Sequence, residues 1–287
     1  MNRKQALKTI AATAVSAVAL PQIAKSMNEL PAELKNNINH SVCQWCYGSM
    51  PLEDLAKAAK EIGLKSIELL GPDQWATVQK HGLTVAMANA TDLGLNKGFN
   101  EPAHHEKFLK DFSTNIPKAA DAGLKSVICF SGNTNGLSSE KGLENCARGL
   151  EPIMKVAEKY NINVCMELLN SKVDHKDYQC DHTEWGVHLA EKLGSPNFKL
   201  LYDIYHMQIM EGDVIATIRK HQKYIGHYHT GGVPGRNEID ETQELYYPAI
   251  MQAIVDTGFK GFVAQEFIPK RPDKLASLKQ GVGICDV

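Results

Sequence analysis

The chain lacks an uncharged run long enough to cross a bilayer, lacks a long block of basic residues and lacks an evident linker. Lys and Arg number 31 against 33 Asp and Glu, a formal net charge of −2, so the clustered cations that neutralise phosphate are missing and nucleic acid is not the expected partner. A small molecule is. The seven cysteines are an odd number, and Cys129 and Cys165 lie inside apolar runs where thiols act as small hydrophobes, so a disulfide scaffold is not expected. Cys43-x-x-Cys46 has no second pair nearby, which argues against structural zinc or redox chemistry. Trp45, Tyr47, Trp75 and Phe99 are candidate pocket walls, with core packing as the plainer alternative for each.

At the N-terminus, Arg3, Lys4 and Lys8 precede the uncharged stretch Thr9 to Leu20. The pattern is that of an export signal. It resembles a twin-arginine leader in which Lys4 replaces the second arginine and Ala6 a large apolar residue; no clean A-x-A site follows, and no cysteine precedes Cys43 to take a lipid. Residues 1–34 are therefore set apart as an expected export signal and linker, and residues 35–287 as one domain. A periplasmic or secreted location is expected, with a cytosolic N-terminal helix as the alternative. No stable membrane anchor is expected.

From Ile38 onward an apolar run of a few residues, a polar turn and a helix-period segment closing on Gly or Asn recur. This is a βα repeat. Strands are expected at Ile38–Val42, Ser66–Leu70, Leu83–Ala88, Ser126–Phe130, Asn163–Glu167, Phe198–Asp203, Ile225–His229 and Gly261–Glu266. Helices are expected at Pro51–Ile62, Trp75–Lys80, His104–Ala122, Ser139–Tyr160, Thr183–Leu193, Asp213–His221 and Tyr246–Thr257, with a last turn near Leu275–Lys279. Eight such units fit an α/β fold of the (β/α)8 TIM-barrel kind, whose sites lie at the C-terminal ends of the strands. A doubly wound sheet is the alternative, but the segment Cys43-Gln44-Trp45-Cys46-Tyr47-Gly48 lacks the Gly-rich phosphate turn it wants after its first strand.

Four successive strands end on groups that resist burial: Glu167, Asp203, His229 and Glu266. In a barrel these ends are neighbours around one mouth. Three carboxylates and an imidazole, without a thiolate, suit a divalent ion, Mn²⁺ or Mg²⁺ ahead of Co²⁺, Fe²⁺ or catalytic Zn²⁺. His206 lies just past the sixth strand, where it either binds a substrate hydroxyl or caps the strand end. Arg236, in the loop after strand seven, either grips an anionic group or pins that loop. His227 is expected to pack below the metal, and Glu68 and Asn89 to belong to an ordinary polar rim outside the site.

Three stretches carry a family resemblance: Asn39-His40-Ser41-Val42-Cys43-Gln44-Trp45-Cys46-Tyr47, the run from Tyr202 through Asp203 and His206 to Asp213, and Val233-Pro234-Gly235-Arg236-Asn237-Glu238. From Ile38 to about Glu266 the chain resembles the hydroxypyruvate isomerase family, within the xylose isomerase-like barrels that include the ketose 3-epimerases. The resemblance implies that Glu167 and Glu266 form a facing acid/base pair, that Asp203 and His229 hold the metal with them, and that His206 and Arg236 bind substrate oxygens. It implies an isomerase taking hydroxypyruvate to tartronate semialdehyde by removal of a proton α to a carbonyl, chemistry that needs a base, an acid and a stabilised oxyanion. Homo-oligomers, a dimer or tetramer, are also expected.

Two departures leave the substrate open. The loop from Asn89 to Asn100 lacks a Gly-Asp-Trp-type stretch, and Val173 stands where the epimerases place a further glutamate, with Asp174 beside it. A ketose 3-epimerase and a 3-keto-glycoside eliminase remain alternatives on the same site. A carbohydrate-binding barrel without activity is the alternative of another class.

Overall fold

The computed structural model describes residues 33–287. The expected leader over residues 1–34 lies outside them except for its last two positions, of which Leu34 packs against the barrel core.

Eight parallel strands form one sheet: β1 (Asn39–Cys43), β2 (Ser66–Glu68), β3 (Ala88–Asn89), β4 (Ser126–Cys129), β5 (Asn163–Glu167), β6 (Phe198–Asp203), β7 (Ile225–Thr230) and β8 (Phe262–Gln265). Neighbours run β2-β1-β8-β7-β6-β5-β4-β3, and parallel bridges from Ser66 to Thr84 and from Leu70 to Ala88 join the two ends. The sheet is therefore closed, which excludes the doubly wound alternative and makes the chain a TIM barrel.

Helices α1 (Leu52–Ile62), α2 (Trp75–Gln79), α3 (His105–Asp121), α4 (Ser139–Tyr160), α5 (Thr183–Leu193), α6 (Ile204–Met210), α7 (Val214–His221), α8 (Tyr247–Asp256) and α9 (Lys274–Cys285) surround it. Each buries one stripe because its apolar residues recur at helical spacing. In α1, Leu55, Ala56 and Ala59 are buried, and Gly63, at φ 100°, ends the helix by donating its N–H to Ala59 and Lys60 carbonyls. Helix α4 begins where the Ser138 hydroxyl accepts from the Lys141 N–H at 3.2 Å. These outer faces and the sheet share one apolar core, while Met87, Ile128, Cys165 and Leu201 form a separate small cluster.

Three expectations need correction. β3 spans only Ala88 and Asn89, not Leu83–Ala88; on the β2 side the ladder is broken at Ala86, whose N–H goes to the Ser66 hydroxyl at 2.8 Å. The expected terminal turn is the full helix α9, in which Gly281 lies where a Cβ would come within 2.8 Å of the Phe267 ring; the glycine that weakens the helical pattern permits that close packing. Helix α6 was not expected, and it starts directly after Asp203, the last residue of β6. All seven cysteines are free and buried, as expected for small core hydrophobes. Among the described residues no helix is long and apolar enough to cross a membrane.

Candidate active site

The barrel brings the four strand-end residues together. Asp203 and His229 are direct partners in the β6–β7 register, Glu167 ends β5, and Glu266 follows β8. Exposure of Glu167 is 4%, Asp203 0%, His229 0% and Glu266 3%, and one ligand atom from each falls within 4.8 Å of the others. Four donors so close and so buried could hold a cation.

Hydrogen bonding within the quartet is incomplete. His229 Nδ1 lies 2.8 Å from Glu266 Oε2 and 3.2 Å from Glu167 Oε1, but its single N–H is aimed at Glu266, leaving Glu167 Oε1 buried without a hydrogen-bond partner. The Arg236 guanidinium reaches Glu266 Oε2 at 2.6 Å and Asp203 Oδ2 at 3.3 Å, flanked by the Trp45 and Tyr205 rings at 5.2 and 5.4 Å. Its backbone holds φ 58°, a left-handed conformation outside glycine, so the loop is shaped to present this side chain inward. Trp45, 42% exposed, donates its indole N–H to Glu266 Oε1 at 2.8 Å. It is the one expected wall residue found at the mouth; Tyr47, Trp75 and Phe99 are buried in the core.

Asp203 has a second task. Its carboxylate accepts the His206 N–H at 3.2 Å and so caps α6, which is why a helix can begin the moment the strand ends. The cap buries His206 completely. There the Asn170 N–H donates to His206 Nδ1 at 3.2 Å, which puts the ring proton on Nε2; that atom has no hydrogen-bond partner and lies 3.6 Å from Asp203 Oδ2.

Charge is distributed unevenly. Burial, and then the charge of Glu266, pushes the Glu167 carboxyl up. Burial also pushes Asp203 well up, against the pull of Arg236. Burial acts on Glu266 in the same sense, yet His229 and Arg236 outweigh it and hold that carboxyl well below the usual range. For His229 burial lowers the pKa, but the negative charge of Glu266 and the hydrogen bonds the ring makes to its carboxylate neighbours carry it well above the ordinary value. Nδ1 faces the two glutamates at 3.2 and 2.8 Å, so a cation taking that atom must displace the proton it holds toward Glu266.

Two residues left outside the site by sequence belong beside it. Glu68 Oε1 is 2.9 Å from His229 Nε2 and 2.8 Å from His227 Nε2, so His227 is a hydrogen-bond donor and not simple packing. Burial raises Glu68, but the two histidines dominate and hold it at about 2. Asn89, by contrast, donates to the Leu69 carbonyl at 2.9 Å and stays out of the site, as expected. The thiols of Cys43 and Cys46 are pushed well up by burial, which works against forming a reactive thiolate.

Fold and site together define a TIM barrel with a buried, carboxylate-rich cluster at its mouth that could hold a cation. The family model described as xylose isomerase-like TIM barrel matches residues 56–283, and the chain belongs to that family. A 2-oxo-tetronate isomerase of Cupriavidus necator is 27% identical over 235 residues, 78% of this chain and 90% of that protein. The hydroxypyruvate isomerase of Escherichia coli is 29% identical over 170 residues, 59% of this chain and 65% of that protein. Among solved structures, an AP endonuclease of family 2 from Brucella melitensis superposes with a TM-score of 0.75 at 23% identity, covering 84% of this chain and 96% of that one, a likeness of fold.

Proposed function

We propose that the protein is a divalent-cation-dependent isomerase of a small hydroxy-carbonyl compound, acting in the manner of the hydroxypyruvate isomerases it resembles. The observation that carries this reading is the pair of buried glutamates, Glu167 and Glu266, placed on either side of His229 Nδ1 at 3.2 and 2.8 Å. Glu167, Asp203, His229 and Glu266 would hold the cation, with Mn²⁺ or Mg²⁺ suited to the oxygen-rich donors. When bound, such an ion polarises a substrate carbonyl and stabilises negative charge on its oxygen.

The chain's own groups account for the rest. One glutamate takes the proton beside the carbonyl, giving an enediolate; a carboxyl returns a proton to the former carbonyl carbon while the hydroxyl proton passes to the former carbonyl oxygen, and because facing carboxylates titrate as one unit the two are named as a pair. Arg236 and the His206 Nε2–H supply donors to substrate oxygens, and the Trp45 and Tyr205 rings wall the mouth. The names of the hydroxypyruvate and 2-oxo-tetronate isomerase relatives support this substrate class. Val173 is 60% exposed, and Asp174 is engaged by the Tyr205 hydroxyl at 2.8 Å and by the Asn170 side-chain amide at 2.6 Å, which weighs against the epimerase alternative.

The test is exchange of substrate C–H protons with D₂O, followed by NMR with Mn²⁺ or Mg²⁺, across hydroxypyruvate, short ketoses and 3-keto-glucosides. Cation-dependent exchange of hydroxypyruvate supports the reading. Exchange confined to ketoses or keto-glucosides moves it to an epimerase or eliminase, and no exchange despite tight cation binding favours a binding protein. The leader read over residues 1–34 would place this activity outside the cytoplasm, which fractionation of the producing cell tests.

A further inference from the structure

Glu68 is fully buried at the end of β2, yet it is neither part of the quartet nor placed to meet substrate. A buried carboxylate is retained only where its partners offset the loss of hydration. Its partners are two histidines of β7. His227 and His229 lie on the same face of that strand, their ring planes 85° apart, and both aim Nε2 at Glu68 Oε1, at 2.8 and 2.9 Å. The Cys43 thiol adds a third, weak donor at 3.9 Å. The opposite edge of the His229 ring carries Nδ1, the atom that faces Glu167 and Glu266.

We propose that Glu68 is the positioning residue of the site: it receives the Nε2 proton of His229, fixes the plane of that ring, and so dedicates Nδ1 to the cation. The inference rests on the reading of Glu167, Asp203, His229 and Glu266 as the cation site. Metal-bound imidazoles are generally oriented by a hydrogen bond from their second nitrogen, and loss of that partner weakens the metal by about 10–100-fold. His227 serves the same end one layer deeper, since its N–H on Oε1 holds the carboxylate where His229 meets it. Cys43, Glu68 and His229 also lie close enough to suggest a second ion, but the 2.9 Å approach of His229 Nε2 to Glu68 Oε1 is that of a hydrogen bond.

The experiment compares wild-type chain with Glu68→Gln and Glu68→Ala by two readouts. Free Mn²⁺, followed by electron paramagnetic resonance, measures affinity and stoichiometry. Spectra of protein labelled with ¹⁵N-histidine, with and without Mg²⁺, report the His229 Nε2–H. Wild type is expected to bind one Mn²⁺ and to show a downfield, exchange-protected Nε2–H signal in both spectra. Glu68→Ala is expected to lose that signal and about 10–100-fold in Mn²⁺ affinity, with Glu68→Gln in between. If Glu68→Ala does not fold, the wild-type spectrum and the isosteric Glu68→Gln carry the test. Wild-type affinity in both variants overturns the proposal, as does a wild-type spectrum without the protected signal, or a second bound Mn²⁺ lost in Cys43→Ser. Failure of wild type to bind Mn²⁺ at all, with the Nε2–H signal intact, overturns the cation site itself and leaves Glu68 as structural support only.

Discussion

Glu238 and Glu266 are both glutamates on the β7–β8 side of the barrel, 7% and 3% exposed, and they are held in opposite ways. Glu238 accepts the N–H groups of Lys270 and Arg271, at 3.0 and 3.1 Å, and the Ser277 hydroxyl at 2.8 Å. Burial would raise its carboxyl, but these fixed donors hold it low, and they tie the loop after β8 to α9. Glu266 meets no such fixed cradle. Its charge is balanced by side chains that can move or change state, His229 and Arg236, and it faces Glu167, whose Oε1 is left without a partner. A structural carboxylate is satisfied by backbone and costs little to keep ionised; a working one is poised among groups that a ligand can rearrange.

The largest expected effect comes from removing the two acids proposed to act on substrate. Glu167→Gln or Glu266→Gln should each lower D₂O exchange of substrate by about 10²–10⁴-fold while the melting temperature stays close to wild type, measured by NMR and calorimetry on the same samples. Glu238→Ala should do the reverse, destabilising by about 3 kcal/mol because three donors lose their acceptor, with exchange per folded molecule nearly unchanged. Exchange lost in Glu238→Ala, or large instability in the glutamine variants, would erase the distinction between the two carboxylates.

A third carboxylate setting lies at the other end of the barrel, where His40, 1% exposed, sits 3.8 Å from Asp286. Burial lowers the His40 pKa from 6.5 to about 4, outweighing Asp286. The unfolded chain then binds the proton more tightly, so stability is full above pH 6.5 and is lost as pH falls through the range down to about 4. Up to about 3 kcal/mol should disappear over that interval in urea titrations, and His40→Asn should flatten the slope. The smallest effect is expected for Trp45→Phe, which keeps the ring over Arg236 but removes the indole donor to Glu266 Oε1: a loss of about tenfold or less in the exchange rate, read by the same NMR assay.

Much of this was legible in the chain. An apolar run ending in Glu167, Asp203, His229 or Glu266 has no reason to do so inside a core, and βα periodicity places those ends at one mouth. The barrel followed from the same periodicity. Glu68 was not legible, because its partners lie 159 and 161 residues away and a lone acid at a strand end reads as rim. Helix α6 was hidden by the double use of Asp203: a residue read as a ligand is also a cap, and Ile204, Tyr205, His206 and Met207 are all buried, so no polar face marks a helix. Arg236 was legible as a cation in a loop, but its place between Asp203 and Glu266 depends on the fold of the loop after β7.

The most direct test of the account is a crystal structure of the protein soaked with Mn²⁺, read in the anomalous difference map. The account predicts one strong peak bounded by Glu167, Asp203, His229 Nδ1 and Glu266, with the Arg236 guanidinium drawn away from Asp203 and Glu266. A map with no peak there, with Arg236 still paired to both carboxylates, would contradict it.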